Sequence, residues 1–241
     1  MVNTYTVWKN EDHSKAFLEQ VRGAIPFSVE QVEIMLRIIG TAVPQVRRFL
    51  DLGCGDGILG RSILSSHPAA RGIFVDFSET MISAAKRKCD GRCEFITTDL
   101  AHAEWTEAVR DRGPFDVIVS GFAIHHLPDT RKRELYQEVF DLLGPEGVFL
   151  NLEHVSSASK WLEALFEEQF VDSLFAYHRR RGSKSSREQI AQEFYSRPDK
   201  KANILAPVDV QCAWLREIGF QDVDCYFKVF ELALFGGRKP R

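Results

Sequence analysis

The 241 residues hold no apolar run that approaches a bilayer span, which takes about 20 consecutive apolar residues, so a membrane-spanning chain is not expected. The first stretch, MVNTYTVWKNEDHSK, has no basic segment leading into an apolar core, and no secretory signal is expected. Neither an internal repeat nor a low-complexity tract is present, so neither a repeat array nor a disordered tract is expected. Cysteine is scarce. Cys54, Cys89, Cys93, Cys212 and Cys225 are odd in number and scattered, which predicts free thiols in a reducing cytoplasm. Cys89 and Cys93 lie four apart without a second ligand pair beside them, so no zinc site, and no other metal, is expected. An excess of positive charge is also lacking. A formal net charge of -3 disfavours general nucleic-acid binding. What is present is a 44% hydrophobic chain, long enough for one large domain with a substantial core.

The spacing predicts helices over 11–22, with Phe17, Leu18 and Val21 on one side, and over 28–40, with Val32, Met35, Leu36 and Ile39 in register. Ser28, just after Pro26, is the candidate N-cap of the second. Short apolar strands then alternate with helical stretches. Strands are predicted at 47–52, 71–76, 93–97, 115–120 and 146–152, and helices at 57–66, 79–89, 103–111 and 130–143. Turn signals at Gly113-Pro114 and Gly144-Pro145 support the last two strands. Such alternation points to an α/β domain with a parallel sheet between two helical layers. A long helix over 157–178 follows, with Trp161, Leu162, Leu165, Phe166 and Phe170 on its apolar side. Next come a polar stretch, 178–201, and a helix over 208–218 ended by Gly219. Two final strands, 221–227 and 229–235, are close enough to form an antiparallel hairpin. Tyr226, Phe227 and Phe230 there are candidates for an exposed homodimer face.

The chemistry concentrates in Phe49-Leu50-Asp51-Leu52-Gly53-Cys54-Gly55-Asp56-Gly57. This reads as a buried strand entering a turn whose glycines let a ligand approach bare backbone. Asp51 and Asp56 would repel a pyrophosphate but suit a cationic, phosphate-free ligand, and S-adenosylmethionine (SAM) carries an ammonium and a sulfonium. Gly55 to Gly60 also satisfies G-x-G-x-x-G, the dinucleotide fingerprint. Both readings want an acid at the end of the next strand, and Asp76 stands there. The acids in the loop favour SAM.

The ordered set resembles the class I SAM-dependent methyltransferases: the glycine loop, Asp76 in Val75-Asp76-Phe77-Ser78-Glu79-Thr80-Met81, Asp99, and Phe115-Asp116-Val117-Ile118-Val119-Ser120. Trp214-Leu215-Arg216-Glu217-Ile218-Gly219-Phe220 continues it. The resemblance implies a three-layer Rossmann-like fold with a seven-stranded, mostly parallel sheet and an antiparallel C-terminal hairpin. It implies one domain over 1–241, with a helical cap at 1–40 and a helical lid at 154–205. It implies SAM as cofactor and S-adenosylhomocysteine as product. Gly53 and Gly55 would meet the methionine part, and Asp51 its ammonium, although Asp51 also fits a role in satisfying loop N–H groups. Asp76 would accept the ribose hydroxyls, with Ser78 available to cap the following helix. Asp99 would accept from the adenine amine, with Leu100 beside it. Phe77 and Met81 fit either the adenine faces or a plain core role, and Ser120 is expected near the amino-acid end.

Ligands of open α/β sheets lie past the carboxyl ends of the strands. After strand four stand His125 and His126, and after strand five Glu153 and His154. His125 and His126 are the candidate catalytic residues, as general bases toward an acceptor hydroxyl or amine. His126 equally fits a role in organising its loop. Methyl transfer to a thiol, amine or carbanion needs no base, only orientation and desolvation. Arg179, Arg180, Arg181, Lys184 and Arg187 read either as solvated surface or as a lid holding an anionic acceptor. A tRNA partner stays open but disfavoured. The leading expectation is a methyltransferase for a small-molecule acceptor. The layout after strand five also resembles the carboxy-SAM synthase family, which implies prephenate chemistry serving tRNA wobble-uridine modification. That family needs an arginine for the added carboxylate, and Arg197 is the candidate. A third reading, a non-catalytic SAM-binding module, fits less well. Degenerate members commonly lose the glycines or the ribose acid, and both are present here.

Overall fold

In a computed structural model the described residues are 8, 10–16, 22–197, 200 and 202–241. Seven strands form one sheet: β1 (Arg48–Leu52), β2 (Arg71–Asp76), β3 (Cys93–Thr97), β4 (Phe115–Gly121), β5 (Leu143–His154), β6 (Gln221–Val229) and β7 (Leu232–Arg238). Their order is β3-β2-β1-β4-β5-β7-β6. The first five are parallel; β7 runs antiparallel to β5, and β6 antiparallel to β7. Because β1 lies between β2 and β4, the strand order reverses there, and a crevice opens at the carboxyl edge.

Side chains alternate between the two faces of each strand, and two cores result. Phe49, Val117 and Val119 face Met35 and Ile39 of α2 (Ser28–Ala42), Leu59 and Ile63 of α3 (Ile58–Ser66) and Ile82 of α4 (Glu79–Lys86). Leu50, Leu52 and Ile118 face Leu135 and Val139 of α5 (Asp129–Leu142) and Leu215 of α8 (Val208–Ile218). A third cluster sits over the carboxyl edge. It joins Phe166, Phe170 and Leu174 of α6 (Lys160–Arg180) to Ile190 and Phe194 of α7 (Arg187–Ser196) and to Leu232.

Several elements differ from expectation. The helix predicted over 103–111 is instead two 3-10 turns, Ala103–Thr106 and Arg110–Arg112, packed through Trp105 and Val109. The first helix is described over Glu11–Ala16, and Phe17, Leu18 and Val21 lie outside the described residues. Ser28 is the first helical residue of α2; Phe27, with φ 57°, holds the cap position and contributes no side-chain bond. In α6 the apolar side is rotated from the expected one. Phe166 and Phe170 are buried, but Trp161 is 72% and Leu165 41% exposed. The polar stretch holds an unexpected helix, α7, closed by a capping box between Ser186 and Gln189. The final turn falls at Phe230-Glu231, so β7 begins at Leu232. Tyr226, Phe227 and Phe230 are half-buried against their own chain. None of the helices, among the described residues, is long and apolar enough to cross a membrane.

Candidate active site

The turn after β1 is held open by backbone geometry. Gly53 has φ 62°, and a Cβ there would stand 2.2 Å from that of Ala123, so any side chain would collide with the loop after β4. The N–H of Gly60, in the first turn of α3, donates to Asp51 Oδ2 at 2.9 Å. One Asp51 oxygen thus does satisfy the loop, as the alternative reading of that residue had it. Asp56 is buried and meets Lys88 at 2.7 Å and Arg61 at 3.8 Å. Its charge is therefore balanced within the protein.

Asp76 ends β2 and binds the next two turns together. Its Oδ2 accepts from Gly55 N at 2.9 Å and its Oδ1 from Ser78 N at 2.8 Å. Ser78 Oγ caps α4 by accepting from Met81 N. Burial pushes the Asp76 carboxyl up to about 6, against the pull of these N–H groups, and nearby Asp99 adds to the rise. Asp99 Oδ1 accepts from Ala101 N at 3.0 Å. The carbonyl of Leu100 is pinned by the buried Arg131 guanidinium at 2.9 Å, which in turn is paired to Glu138 at 2.7 Å. Sequence reasoning missed Arg131, because its target lies 31 residues away.

These groups converge on one cavity of about 750 Å³ along the carboxyl edge. Its walls include Asp51, Gly53, Gly55 and Asp76 on one side, with Phe77, Met81, Asp99 and Leu100 beyond them. Ser120 is not among them. It is fully buried and its hydroxyl donates to Leu52 O at 2.9 Å, tying β4 to β1. Gly121 and Phe122, the next residues, line the cavity instead.

At the far wall stand His125 and His126, both buried, with ring centroids 3.9 Å apart. His125 Nδ1 lies 2.6 Å from Glu153 Oε1, and its backbone N donates to Glu153 Oε2 at 3.0 Å. Glu153 Oε1 also accepts from His154 N at 2.9 Å. A carboxylate already taking two backbone N–H groups is suited to accept a proton from His125 Nδ1 as well. Burial raises Glu153 to about 7, opposed by the N–H of His154 and the positive groups around it. His126 Nδ1 faces Ala202 O at 3.3 Å, which fits its loop-organising role. Tyr136 and Asn151 continue the buried network toward Glu153. The pairing of His125 with Glu153 had no local signal, since 28 residues separate them.

The basic cluster from Arg179 to Arg187 is not on the cavity wall. Arg181 packs on the Tyr177 ring at 5.5 Å, and Arg187 pairs with Glu168 and Asp172. The cations that do line the cavity include Arg197 and Lys200, the latter paired to Glu167 at 2.5 Å. Among the described residues no group of three or more His, Cys, Asp or Glu is arranged to hold a metal ion.

The family model for the methyltransferase domain matches residues 49–147, the segment carrying the glycine loop, Asp76, Asp99 and His125. That segment is similar to the methyltransferase domain the model describes. The chain is 25% identical over 222 residues to carboxy-S-adenosyl-L-methionine synthase of a Nitratiruptor species, covering 91% of this chain and 87% of that relative. It is 26% identical over 231 residues to the Wolinella succinogenes protein of the same name, covering 92% and 89%. Among solved structures it resembles human N-acetylserotonin methyltransferase in complex with SAM, with a TM-score of 0.63 at 15% identity. That match covers 98% of this chain and 59% of the human one, and shows the shared fold. The family's cofactor is SAM. The cavity fits it: Gly53 and Gly55, both at positive φ, line it beside Asp51, Asp76 and Asp99.

Proposed function

We propose that this enzyme transfers the methyl group of SAM to a small-molecule acceptor bound against His125. Gly53 and Gly55 bring backbone to the methionine part of SAM, and Asp51 meets its ammonium. Asp76 accepts from the ribose hydroxyls, and Asp99 and Leu100 receive the adenine, with Phe77 and Met81 at its faces. SAM supplies an electrophilic methyl on a sulfonium. The chain's own residues hold the acceptor, exclude water and accept its proton at His125 Nε2, while Glu153 fixes the ring tautomer. The observation that carries this reading is the buried 2.6 Å contact of Glu153 with His125, which lines the same cavity as Asp51, Asp76 and Asp99. The chain is treated as one domain over 1–241, with 1–40 as a cap and 154–205 as a lid. Its five free thiols suit a reducing cytoplasm.

A second reading, a carboxy-SAM synthase, draws support from the relatives of that name and from Arg197 on the same cavity wall. Mass spectrometry separates the two. The purified chain is given SAM with a panel of hydroxylated and amino acceptors, and separately SAM with prephenate. A methylated acceptor whose yield falls at least about tenfold in His125→Gln supports the leading reading. Carboxy-SAM formed only with prephenate, and lost in Arg197→Lys, replaces it with the second.

A further inference from the structure

The cavity holds a second histidine–carboxylate pair that the proposed reaction leaves unused. His154 ends β5, and Glu231 stands in the turn before β7. His154 Nε2 lies 2.7 Å from Glu231 Oε2, and both residues line the cavity. The Glu231 side chain is 4% exposed, whereas His154 keeps 21%. A buried carboxylate at this distance draws the ring proton to Nε2, which leaves Nδ1 as the accepting nitrogen. Nδ1 has no hydrogen-bond partner among the described residues.

The His125 and His154 rings are 5.7 Å apart at 68°, so one wall presents two imidazoles, each backed by a glutamate. Fastening the hairpin does not require the second pair. His154 is already in register with Leu232 on the ladder, and Val155 N donates to Glu231 O at 2.8 Å. The adjoining wall is aromatic. Phe166 lies 5.6 Å from the His154 ring, Phe170 lies 5.8 Å from Phe166, and Phe194 stacks on Phe170 at 5.4 Å and 24°. Such a wall favours a flat ring by offset or edge contact. One imidazole suffices to take one proton. A second partly buried acceptor nitrogen favours a ligand with a second donor, and a site built this way discriminates against analogues that lack it.

We infer that the acceptor is an aromatic ring bearing two hydroxyl groups, one meeting His125 and the other held by His154. Glu231 acts through His154 as a positioning residue. The inference rests on the methyltransferase reading of this cavity and names the class of its acceptor.

The test is calorimetric titration of the full chain, loaded with S-adenosylhomocysteine, with catechol and with phenol as probes. Catechol is expected to bind at least about tenfold tighter than phenol, the discrimination one satisfied hydrogen bond supplies. In His154→Gln and in Glu231→Gln the ratio is expected to fall to about two or less. Glu231→Gln keeps the imidazole and the volume of the side chain, and thermal melts of both variants verify folding. Equal affinity for the two probes in the parent chain overturns the inference. So does a tenfold preference that survives in both variants, or a loaded chain that binds neither probe. Failure to bind S-adenosylhomocysteine is a separate readout: it removes the cofactor reading and the acceptor inference with it.

Discussion

Asp76 and Glu153 carry most of the unusual electrostatics of the site, and for one dominant reason. Burial lifts Asp76 from 3.8 to about 6 and Glu153 from 4.5 to about 7. Each binds its proton more tightly in the folded chain than in the unfolded one. The stabilisation this gives is full below the ordinary value and is lost as pH rises through the raised one. The window is 3.8 to about 6 for Asp76 and 4.5 to about 7 for Glu153. Melting temperature followed from about pH 5 to about pH 8 is expected to show a downward contribution that Glu153→Gln flattens in its upper part. Parallel curves for the two proteins would place the cause elsewhere. Asp76 also answers to ligand binding. Asp76→Asn keeps one acceptor oxygen for Gly55 N or Ser78 N, while Asp76→Ala strands both. SAM affinity by titration calorimetry is expected to fall at least about tenfold in the Asn variant and further in Ala. An affinity within about twofold of the parent in both would remove Asp76 from the cofactor site.

At the scale of elements, α6 and α7 decide what covers the cavity. Their contact is apolar inside and ionic outside: Phe170 stacks on Phe194 within, and Arg187 bridges Glu168 and Asp172 at the surface. Phe170→Ala is expected to cost about 3–5 kcal/mol, by denaturant titration, because the site is buried and stacked. Arg187→Ala is expected to cost less than about 1 kcal/mol, since its pairs are solvent-exposed. Arg179, Arg180 and Arg181 do not line the cavity, so their joint replacement by alanine is expected to leave the acceptor KM within about twofold of the parent value. A larger rise would return that cluster to the site. These contrasts also explain which elements could be read in advance. The strands and α2 to α5 announce themselves by apolar period, because each buries one face against a sheet. The helix α7 lies in a polar stretch with only Ile190 and Phe194 buried, so its one local signal is the Ser186–Gln189 capping box. The two 3-10 turns after β3 bury Trp105 and Val109 without a helical stripe, which mimics a short helix in sequence. In the site, Asp51, Asp76 and Asp99 were readable because a strand end fixes each one. The Glu153–His125 and Glu231–His154 pairs span 28 and 77 residues, and only the closed sheet brings them together.

At the scale of the whole molecule, the sheet order makes one crevice serve two tasks. The half built on β1, β2 and β3 supplies Asp51, Asp56, Asp76, Asp99 and a glycine turn, and the half built on β4, β5 and the hairpin supplies His125, His126, His154 and Glu231. A ligand that fills the first half touches elements drawn from residues 51 to 100, and its binding is therefore linked to global stability rather than to one loop. SAM at a hundredfold excess over its Kd is expected to add about 2.7 kcal/mol. For a domain of this length that corresponds to a rise in Tm of about 5–10 °C. NAD, which the Gly55 to Gly60 spacing would also admit on sequence alone, is expected to give no shift, because the buried Asp51 opposes a pyrophosphate at the same turn. A thermal-shift series with SAM, S-adenosylhomocysteine and NAD reads all three at once. Stabilisation by both sulfur compounds and not by NAD assigns the glycine turn to SAM. Stabilisation by NAD alone would mean that the acids around the turn do not choose the ligand, and the chemistry assigned to His125 would fall with that choice.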